Sequence, residues 1–199
     1  MNIVAVPDST ATTARGEERR RQIIEAAAAL ICEEGPAAVS HRSVAARAGC
    51  SLSATTYYFS GLDDLLFQAG KLNISRWASR AERVAEEVEL REESVGSDDS
   101  IDYILAATLP ADVSLAGHYG QLIGVGDSSS VSRAYRTGRD RLNAAVGRVL
   151  AHLGIAVAPE LVIAVVDGAA VSALSEGRDV RESARGLLRQ LRDQCVSDR

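Results

Sequence analysis

The segment from residue 40 to residue 59 constrains the fold most, because it reads as two short helices joined at a glycine. Ser40 can cap the first helix, Gly49 supplies a permissive backbone at the corner, and Ser51 can cap the second helix. Residues with small apolar side chains recur at helical spacing and would give the first helix one buried face: Val44, Ala45 and Ala48. The pattern predicts a helix-turn-helix.

The second helix of this segment consists largely of small polar and aromatic residues. Its hydroxyl groups are expected on the exposed side: Ser53, Thr55, Thr56, Tyr57 and Tyr58. Such groups form hydrogen bonds with phosphate oxygens and base edges. A helix that enters a DNA major groove needs side chains that are small and polar. Phe59 is expected to pack as a core aromatic. The segment therefore predicts binding of double-stranded DNA.

Several positions across residues 17–66 match one known pattern together: Gly35, Ser40, Val44, Ala45, Ala48, Gly49, Ser51, the run TTYYF and the run SGLDDLL. This set resembles the DNA-binding domain of TetR-family transcriptional regulators. The resemblance implies an all-α protein with an N-terminal three-helix helix-turn-helix domain and a C-terminal helical ligand-binding and dimerisation domain. It also implies a homodimeric regulator, in our interpretation a repressor of a palindromic operator that a ligand releases.

The resemblance implies two groups of DNA contacts. The residues expected at phosphates are Ser40, Arg42, Thr56, Tyr57 and Tyr58. The residues expected near base edges are Ser51, Leu52, Ser53, Ala54 and Thr55. Leu62 stands where most relatives carry a lysine, so one expected phosphate contact is missing. Leu52 replaces a commonly polar residue, which leaves an apolar contact to a thymine methyl or simple packing as its role.

The charge of the chain fits this interpretation only when it is counted by segment. The whole chain has a net charge of -5, but residues 15–60 carry six arginines against five acidic residues. Four arginines stand before and within the start of the first helix: Arg15, Arg19, Arg20 and Arg21. They form either an arm along the DNA backbone or a solvated basic helix end.

We expect three segments: a disordered tail over residues 1–14, the DNA-binding domain over 15–61, and the effector-binding and dimerisation domain over 62–199. The tail lacks the apolar core of a signal peptide, and no stretch is long enough to span a membrane. The three cysteines are widely spaced, which argues against a disulfide framework or a zinc site and fits a reducing cytoplasm: Cys32, Cys50 and Cys195.

Helix boundaries follow from apolar spacing and from breakers. The first helix is predicted from about Glu17 to Glu34, with one buried face: Ile23, Ala27, Leu30 and Ile31. Ser60 and Asp63 resemble a capping box that opens a long connecting helix to about Glu93. Residues 100–126 contain Pro110 and several glycines, so they are predicted to be irregular or loosely held. A loop or cap is expected at residues 127–130, followed by a helix that ends at Gly154 and whose apolar stripe begins at Leu142.

The two last helices are predicted to form a dimer interface. The run from Pro159 is apolar on most of its circumference, and such a helix must be covered on several sides. A second subunit is one cover and the monomer's own core is the other. The candidate interface residues are Val162, Val166, Ala169, Ala170, Ala173, Leu187 and Leu191.

The resemblance also implies an effector pocket, with packing as the alternative role for each residue: Trp77, Tyr103, His118, Tyr119, Gln121 and Leu122. A mostly apolar wall with a few polar groups indicates a small hydrophobic or amphipathic molecule.

Enzyme chemistry finds little support in the sequence. The histidines His41, His118 and His152 are far apart, and no metal-ligand, nucleophile or phosphate-binding motif is present. We therefore expect no catalytic residues, no cofactor and no metal. Asp167 is expected to cap an amide or pair with a polar group. Two alternatives remain: a helical dimeric interaction module without DNA recognition, and a redox-sensing regulator in which Cys50 is the reactive thiol.

Overall fold

The computed structural model describes residues 9–91, 96–111 and 113–197, and within these residues all regular structure is helical. The helices are α1 (Ser9–Glu34), α2 (His41–Arg47), α3 (Leu52–Tyr58), α4 (Leu62–Glu89), α5 (Ser97–Thr108), α6 (Leu115–Gly124), α7 (Ser129–His152), α8 (Pro159–Glu176) and α9 (Val180–Ser197). This architecture confirms the predicted all-α class. Among the described residues, none of the helices combines the length and apolarity that a membrane crossing requires.

Helix α1 begins at Ser9, well before the predicted start near Glu17. The prediction of a disordered tail is therefore wrong for residues 9–14, while residues 1–8 lie outside the described part. No glycine or proline interrupts residues 9–14, and each residue added to an existing helix gains a hydrogen bond. The helix ends at Glu34 as predicted, and Gly35 follows with a φ of 86°.

The N-terminal domain is held together by the predicted apolar face of α1. Ile23, Ala27 and Ile31 are fully buried, and Leu30 is nearly so. They belong to one core that also contains Phe59 and other apolar residues of α2 and α4. Burial of a large aliphatic side chain contributes about 1.5 to 3 kcal/mol, so this face fixes α1 against the helix-turn-helix.

The start of α4 differs in detail from the predicted capping box. Asp64, rather than Asp63, accepts hydrogen bonds from Ser60, at 3.2 Å from its backbone nitrogen and 3.4 Å from its Oγ. The shift arises because the helix begins at Leu62, one residue after Gly61. Asp63 instead accepts a bond from Ser130 Oγ at 3.1 Å and so ties α4 to α7. The helix ends at Glu89, four residues before its predicted end.

The described part of the glycine-rich stretch over residues 100–126 is largely helical, so the prediction of an irregular segment is wrong. It forms most of α5 and all of α6, which are separated at Pro110. Gly117 explains part of the difference, because a Cβ there would stand 3.0 Å from the carbonyl oxygen of Cys32. The glycine lets α6 approach α1 closely, and this packing outweighs a propensity cost of about 1 kcal/mol.

Among the described helices, α4 and α7 pack against each other most extensively. A Cβ at Gly138 would stand 2.5 Å from Ile74 Cγ2, so only glycine fits this crossing without a shift. Arg141 on α7 then donates to Glu82 Oε1 at 2.7 Å and to Ser79 Oγ at 2.8 Å. Since α4 begins next to the helix-turn-helix, the pair connects that domain with the rest of the protein. Helix α7 starts at Ser129 and is capped by Ser128, within the segment predicted to be a loop or cap.

Helices α8 and α9 close the C-terminal domain, but the predicted dimer residues do not face outward. Five of them are at most 2% exposed within the monomer: Val162, Val166, Ala169, Ala170 and Ala173. They leave no surface for a second chain, so the prediction for these five is wrong. Their spacing marks the buried side of α8, and the sequence could not distinguish its two apolar sides. Leu187 is exposed and Leu191 is half-buried.

Candidate nucleic-acid interface and internal cavity

Local hydrogen bonds shape α2 and the turn behind it. Ser43 N donates to Ser40 Oγ at 3.0 Å, and Ser40 N donates to Ser43 Oγ at 2.9 Å, so the two serines form a capping box. Gly49 adopts a φ of 59° at the corner, where a side chain would strain the backbone. The predicted cap and turn are both confirmed.

Helix α3 is capped by Ser51, whose Oγ accepts from Ala54 N at 3.2 Å. Thr55 departs from its predicted role, since it is 0% exposed. Its Oγ1 donates to the carbonyl of Leu52 at 2.8 Å and lies 3.1 Å from His41 Nδ1. Thr55 therefore faces α2 and cannot reach a base edge. His41 is the structural partner that the sequence did not indicate, because it lies 14 residues away.

The outer side of α3 carries most of the other predicted contacts. Leu52 is 51% exposed and Tyr57 is 82% exposed, and Ser53 and Thr56 are exposed with them. Ala54 is half-buried and packs against the core, so it presents less surface. A helix with exposed hydroxyls around a single apolar side chain can meet phosphates and base edges together.

The two neighbouring tyrosines have different surroundings. Their rings meet edge to face, with centroids 5.1 Å apart. Tyr57 projects from the surface, whereas Tyr58 is half-buried and belongs to the shell around the core. A Cβ at Gly16 would stand 3.7 Å from the Tyr58 hydroxyl, which places that hydroxyl beside α1. Tyr57 is thus the more accessible of the two.

The basic residues near this surface divide into paired and unpaired groups. Arg21 donates to Glu18 Oε1 at 2.8 Å, and Arg47 donates to Glu33 Oε2 at 2.6 Å. Arg20 lies over the ring of Phe59, 5.3 Å from its centroid. Arg42, Arg15 and Arg19 make no hydrogen bond or ion pair within the described residues, which leaves their charge for an external anion.

Two further residues at this surface bear on the sequence interpretation. Leu62, where the resemblance leads us to expect a lysine, is half-buried and packs against the core. Cys50 is a free, half-buried thiol in the turn, and its backbone N–H donates to Ala45 O at 3.0 Å. Both side chains therefore also serve packing.

A second feature lies inside the C-terminal domain, where three of the predicted effector residues line a small cavity. Trp77, His118 and Leu122 share it with residues from α4, α5, α7 and α8: Arg80, Thr108, Arg139, Leu142, Ile163 and Asp167. We call this the internal cavity. Its volume is about 30 Å³, comparable with the share of one water molecule in the liquid. The rings of Trp77 and His118 meet at 4.9 Å.

The other three predicted effector residues lie elsewhere. Tyr119 donates its hydroxyl to Asp167 Oδ1 at 3.2 Å and so supports the cavity wall. Gln121 accepts from the Tyr135 hydroxyl at 3.0 Å and lines a separate surface cleft of about 610 Å³ between α1 and α6. Tyr103 accepts a bond from Arg91 and lines neither of these two spaces, so its predicted role at an effector stays a prediction. Its position on α5 places it on a different side from Thr108.

Burial changes the protonation of the groups around the internal cavity. Loss of solvent, with the nearby Arg80 charge, lowers the pKa of His118 to about 4, so its imidazole is neutral at pH 7. Burial also raises the pKa of Asp167, while the bond from Tyr119 and the charge of Arg139 oppose this rise. The cavity therefore holds two arginines beside one carboxyl group of reduced acidity.

The sequence did not indicate the two arginines of the cavity. Arg80 follows Trp77 by three positions on α4, so a shared helix face was the available signal. Arg139 comes from α7 and offers no such signal, because only the packing of α7 against α8 brings it near Asp167.

Comparisons with known proteins agree with this geometry. Residues 23–69 match the family model for bacterial regulatory proteins of the tetR family. A 69-residue stretch is 42% identical to the HTH-type transcriptional regulator PksA of Bacillus subtilis (strain 168), covering 35% of this chain. That match spans 34% of PksA, so about a third of the curated relative's length is matched.

Solved structures extend the likeness to most of the chain. The multidrug binding protein EbrR, complexed with imidazole, superposes with a TM-score of 0.62 at 26% identity, covering 87% of this chain and 89% of EbrR. A transcriptional regulator from Saccharomonospora viridis in complex with choline superposes with a TM-score of 0.66 at 19% identity, covering 86% and 94% of the two chains. This second likeness shows the fold alone.

The matched residues include the capped helices, the glycine turn and the start of α4 described above. The family consists of regulatory proteins, which agrees with the expectation of a non-enzymatic chain. On these grounds residues 23–69 are a domain of the tetR family of bacterial regulatory proteins, and the rest of the chain shares the fold of the solved structures named above.

Proposed function

We propose that this protein is a homodimeric transcriptional repressor that binds a palindromic DNA operator and leaves it when a small molecule binds the C-terminal domain. One observation carries the proposal: α3 is held from behind by Thr55 and presents an exposed surface of hydroxyls, Leu52 and Tyr57. A helix held in this way can enter a major groove without rearranging its own core. The protein would act in the cytoplasm.

The proposed contacts follow the accessibility of each side chain. Ser40, Arg42, Thr56 and Tyr57 are exposed and are assigned to phosphates, with Tyr58 in a secondary position beside α1. Ser51, Leu52 and Ser53 are assigned to base edges. The half-buried Ala54 is also assigned to the base edges, with a smaller contact surface. Leu52 would contact a thymine methyl, since it is the one large apolar side chain exposed on α3.

The dimer is proposed to form through a different side of α8 from the one predicted. Its exposed residues recur every three or four positions: Leu161, Ala164, Gly168, Val171 and Ser175. Leu187 of α9 is also exposed. Small and apolar residues at this spacing allow helices of two subunits to approach closely. Two reading helices would then meet half-sites on the order of 34 to 36 Å apart, or somewhat more.

Release by a ligand is supported by the small volume of the internal cavity. An effector larger than a water molecule needs more than the present 30 Å³, so it would favour a state in which the lining helices have moved. Helix α6 provides a direct path, because Gly117 lies against the backbone of Cys32 on α1. A ligand shifts the protein between states only by its difference in affinity for them, and an enlarged cavity supplies such a difference.

DNA binding is tested by fluorescence anisotropy with DNA from beside the protein's own coding region, at several salt concentrations. We expect a sequence-specific, salt-sensitive complex. Arg42→Ala should weaken binding to all sequences and reduce the salt slope by about one. Arg136→Ala is the matched control, because Arg136 is exposed on α7, away from α3. Absence of any salt-sensitive, sequence-specific complex would overturn the proposal and favour the interaction module.

The dimer is tested by light scattering during size-exclusion chromatography. Val171→Glu introduces a charge into the proposed interface and should yield a monomer that binds the operator poorly. Glu182→Ala, at an exposed position on α9, is the control. A monomeric wild-type chain would contradict the interface.

Redox sensing is the second candidate function, because Cys50 is a free thiol in the turn between α2 and α3. Mild oxidation before the anisotropy measurement tests it. Loss of DNA binding in the wild type but not in Cys50→Ser would support this function, while equal binding in both would exclude it.

A further inference from the structure

The internal cavity combines an apolar wall with an unbalanced set of charges. Trp77, Leu122, Leu142 and Ile163 provide the apolar surface, against which a hydrocarbon group would pack once the lining helices move apart. Arg80 and Arg139 line the same space with one acidic residue, Asp167. With His118 neutral, the lining carries more positive than negative charge.

The acidic residue is already engaged within the protein. Asp167 Oδ1 accepts the Tyr119 hydroxyl at 3.2 Å. It has no ion pair within 4 Å among the described residues, although the Arg139 charge acts on it from farther away. A ligand cation would therefore have to compete with the Arg139 guanidinium for one carboxyl group that already holds a hydrogen bond.

In contrast to Asp167, Arg139 and His118 have nitrogen atoms that lack a hydrogen-bond partner among the described residues. Arg139 is half-buried and makes no hydrogen bond or ion pair within the described part of the chain. His118 is 6% exposed, and its Nδ1 has no hydrogen-bond partner. A buried polar atom without a partner costs about 1 to 3 kcal/mol, so a ligand that bonds it gains affinity. A neutral imidazole can carry its single proton on Nδ1 and donate it.

We propose that the effector is an amphipathic monoanion, with a carboxylate head between Arg139, Arg80 and His118 and an apolar body against Trp77 and Ile163. This inference rests on the proposed ligand-responsive function and names the class of molecule that the site takes. Arginine offers a carboxylate two parallel N–H groups, and the imidazole adds a third donor. The relatives EbrR and the Saccharomonospora viridis protein were solved with imidazole and with choline. The basic lining of this chain favours an anion over a cation such as choline.

Trp77 provides the direct readout, because it is the single tryptophan of the chain and lines the cavity. Trp77 fluorescence is titrated with 4-phenylbutyrate, 4-phenylbutylamine and 4-phenylbutanol, which share an apolar body and differ in charge. Hexanoate and decanoate extend the acid series. We expect saturable binding of at least one acid, at least tenfold tighter than binding of the amine or the alcohol.

Two variants with the same loss of charge on α7 locate the head group. Arg139→Gln should weaken acid binding about tenfold and leave alcohol binding unchanged. Arg136→Gln should change neither, because Arg136 is exposed and does not line the cavity. Circular dichroism of both variants checks that the helices are retained. Equal effects of the two variants would overturn the assignment of the head group.

The same protein preparation separates this inference from the proposed function. Operator binding by the ligand-free protein is measured alongside, and the best acid is added to the complex. Binding of DNA without a Trp77 response to any acid, or with tighter binding of the amine, overturns the anion inference alone. A saturable acid response without DNA binding overturns the regulator proposal alone. Release of DNA by the acid, reduced in Arg139→Gln, supports both.

Discussion

The helix-turn-helix and the internal cavity differ in how far along the chain their essential contacts reach. The caps of α2 and α3 join residues three positions apart, as in the pair Ser40 and Ser43. The cavity joins residues from five helices, as in the bond between Tyr119 and Asp167. Local contacts make a surface that is ready to bind, whereas distant contacts make a volume that changes when any of its helices moves. This difference suits a stable DNA-reading surface controlled by an adjustable site.

The largest expected effect concerns the buried His118. Its pKa in the folded protein is about 4, below the ordinary 6.5, so the unfolded chain binds more protons between these values. Stability should therefore fall as the pH drops from about 6.5 to 4, by up to about 3 kcal/mol at the acid end. Urea denaturation across this range should show a flatter profile for His118→Phe than for the wild type.

The control for this measurement is His152→Gln, at an exposed position at the end of α7. Asp167 acts in the opposite direction, because its pKa is raised by burial, and Arg80 and Arg139 remain charged throughout. The comparison between the variants isolates His118. A pH profile of stability that is the same in His118→Phe as in the wild type would show that the histidine is solvated. The internal cavity would then differ less from the helix-turn-helix than its contacts indicate.

The next effect tests the helix pair that supports the cavity. Gly138→Ala should lower the free energy of unfolding by about 2 kcal/mol, because the new Cβ meets Ile74 at 2.5 Å. Gly147→Ala on the same helix should be neutral or stabilising by up to about 1 kcal/mol, since its Cβ would lie 3.8 Å from Pro159. Thermal or urea denaturation measures both. Equal stabilities of the two variants would contradict the close crossing of α4 and α7.

A smaller effect is expected inside the helix-turn-helix, at the hydrogen bond that joins α2 to α3. Thr55→Val keeps the shape of the side chain but removes the hydroxyl between Leu52 and His41, and should cost about 1 to 2 kcal/mol of stability. Thr56→Val, at an exposed position, should cost little stability but weaken DNA binding. Denaturation and anisotropy distinguish the two roles. A reversed pattern would place Thr55 at the DNA after all.

The smallest effect concerns the local cap. Ser40→Ala should lower stability by about 1 kcal/mol, because Ser43 N loses its acceptor at the start of α2. Ser53→Ala, within α3, serves as the control and should change stability by less. If Ser40→Ala lowers stability more than Gly138→Ala, the two regions are not as different as their contacts indicate.

The accuracy of the sequence predictions follows the same division. The caps at Ser40 and Ser51, the corner at Gly49 and the end of α1 were all predicted, because each depends on residues within one or two turns. The outward placement of Thr55 was wrong because its partner His41 belongs to another helix. The prediction of irregular structure before α7 was also wrong, because Gly117 allows close contact with α1 and does not break the helix.

The sequence by itself determined the helical class, the position of the helix-turn-helix and the apolar character of the last helices. Capping groups, glycine corners and apolar spacing act over a few residues, so they can be predicted from the sequence without knowledge of the fold. Only the tertiary structure decided which side of α8 is buried and which charges surround the internal cavity. Those outcomes depend on where separate helices cross, and a crossing such as that of Gly138 and Ile74 joins residues 64 positions apart.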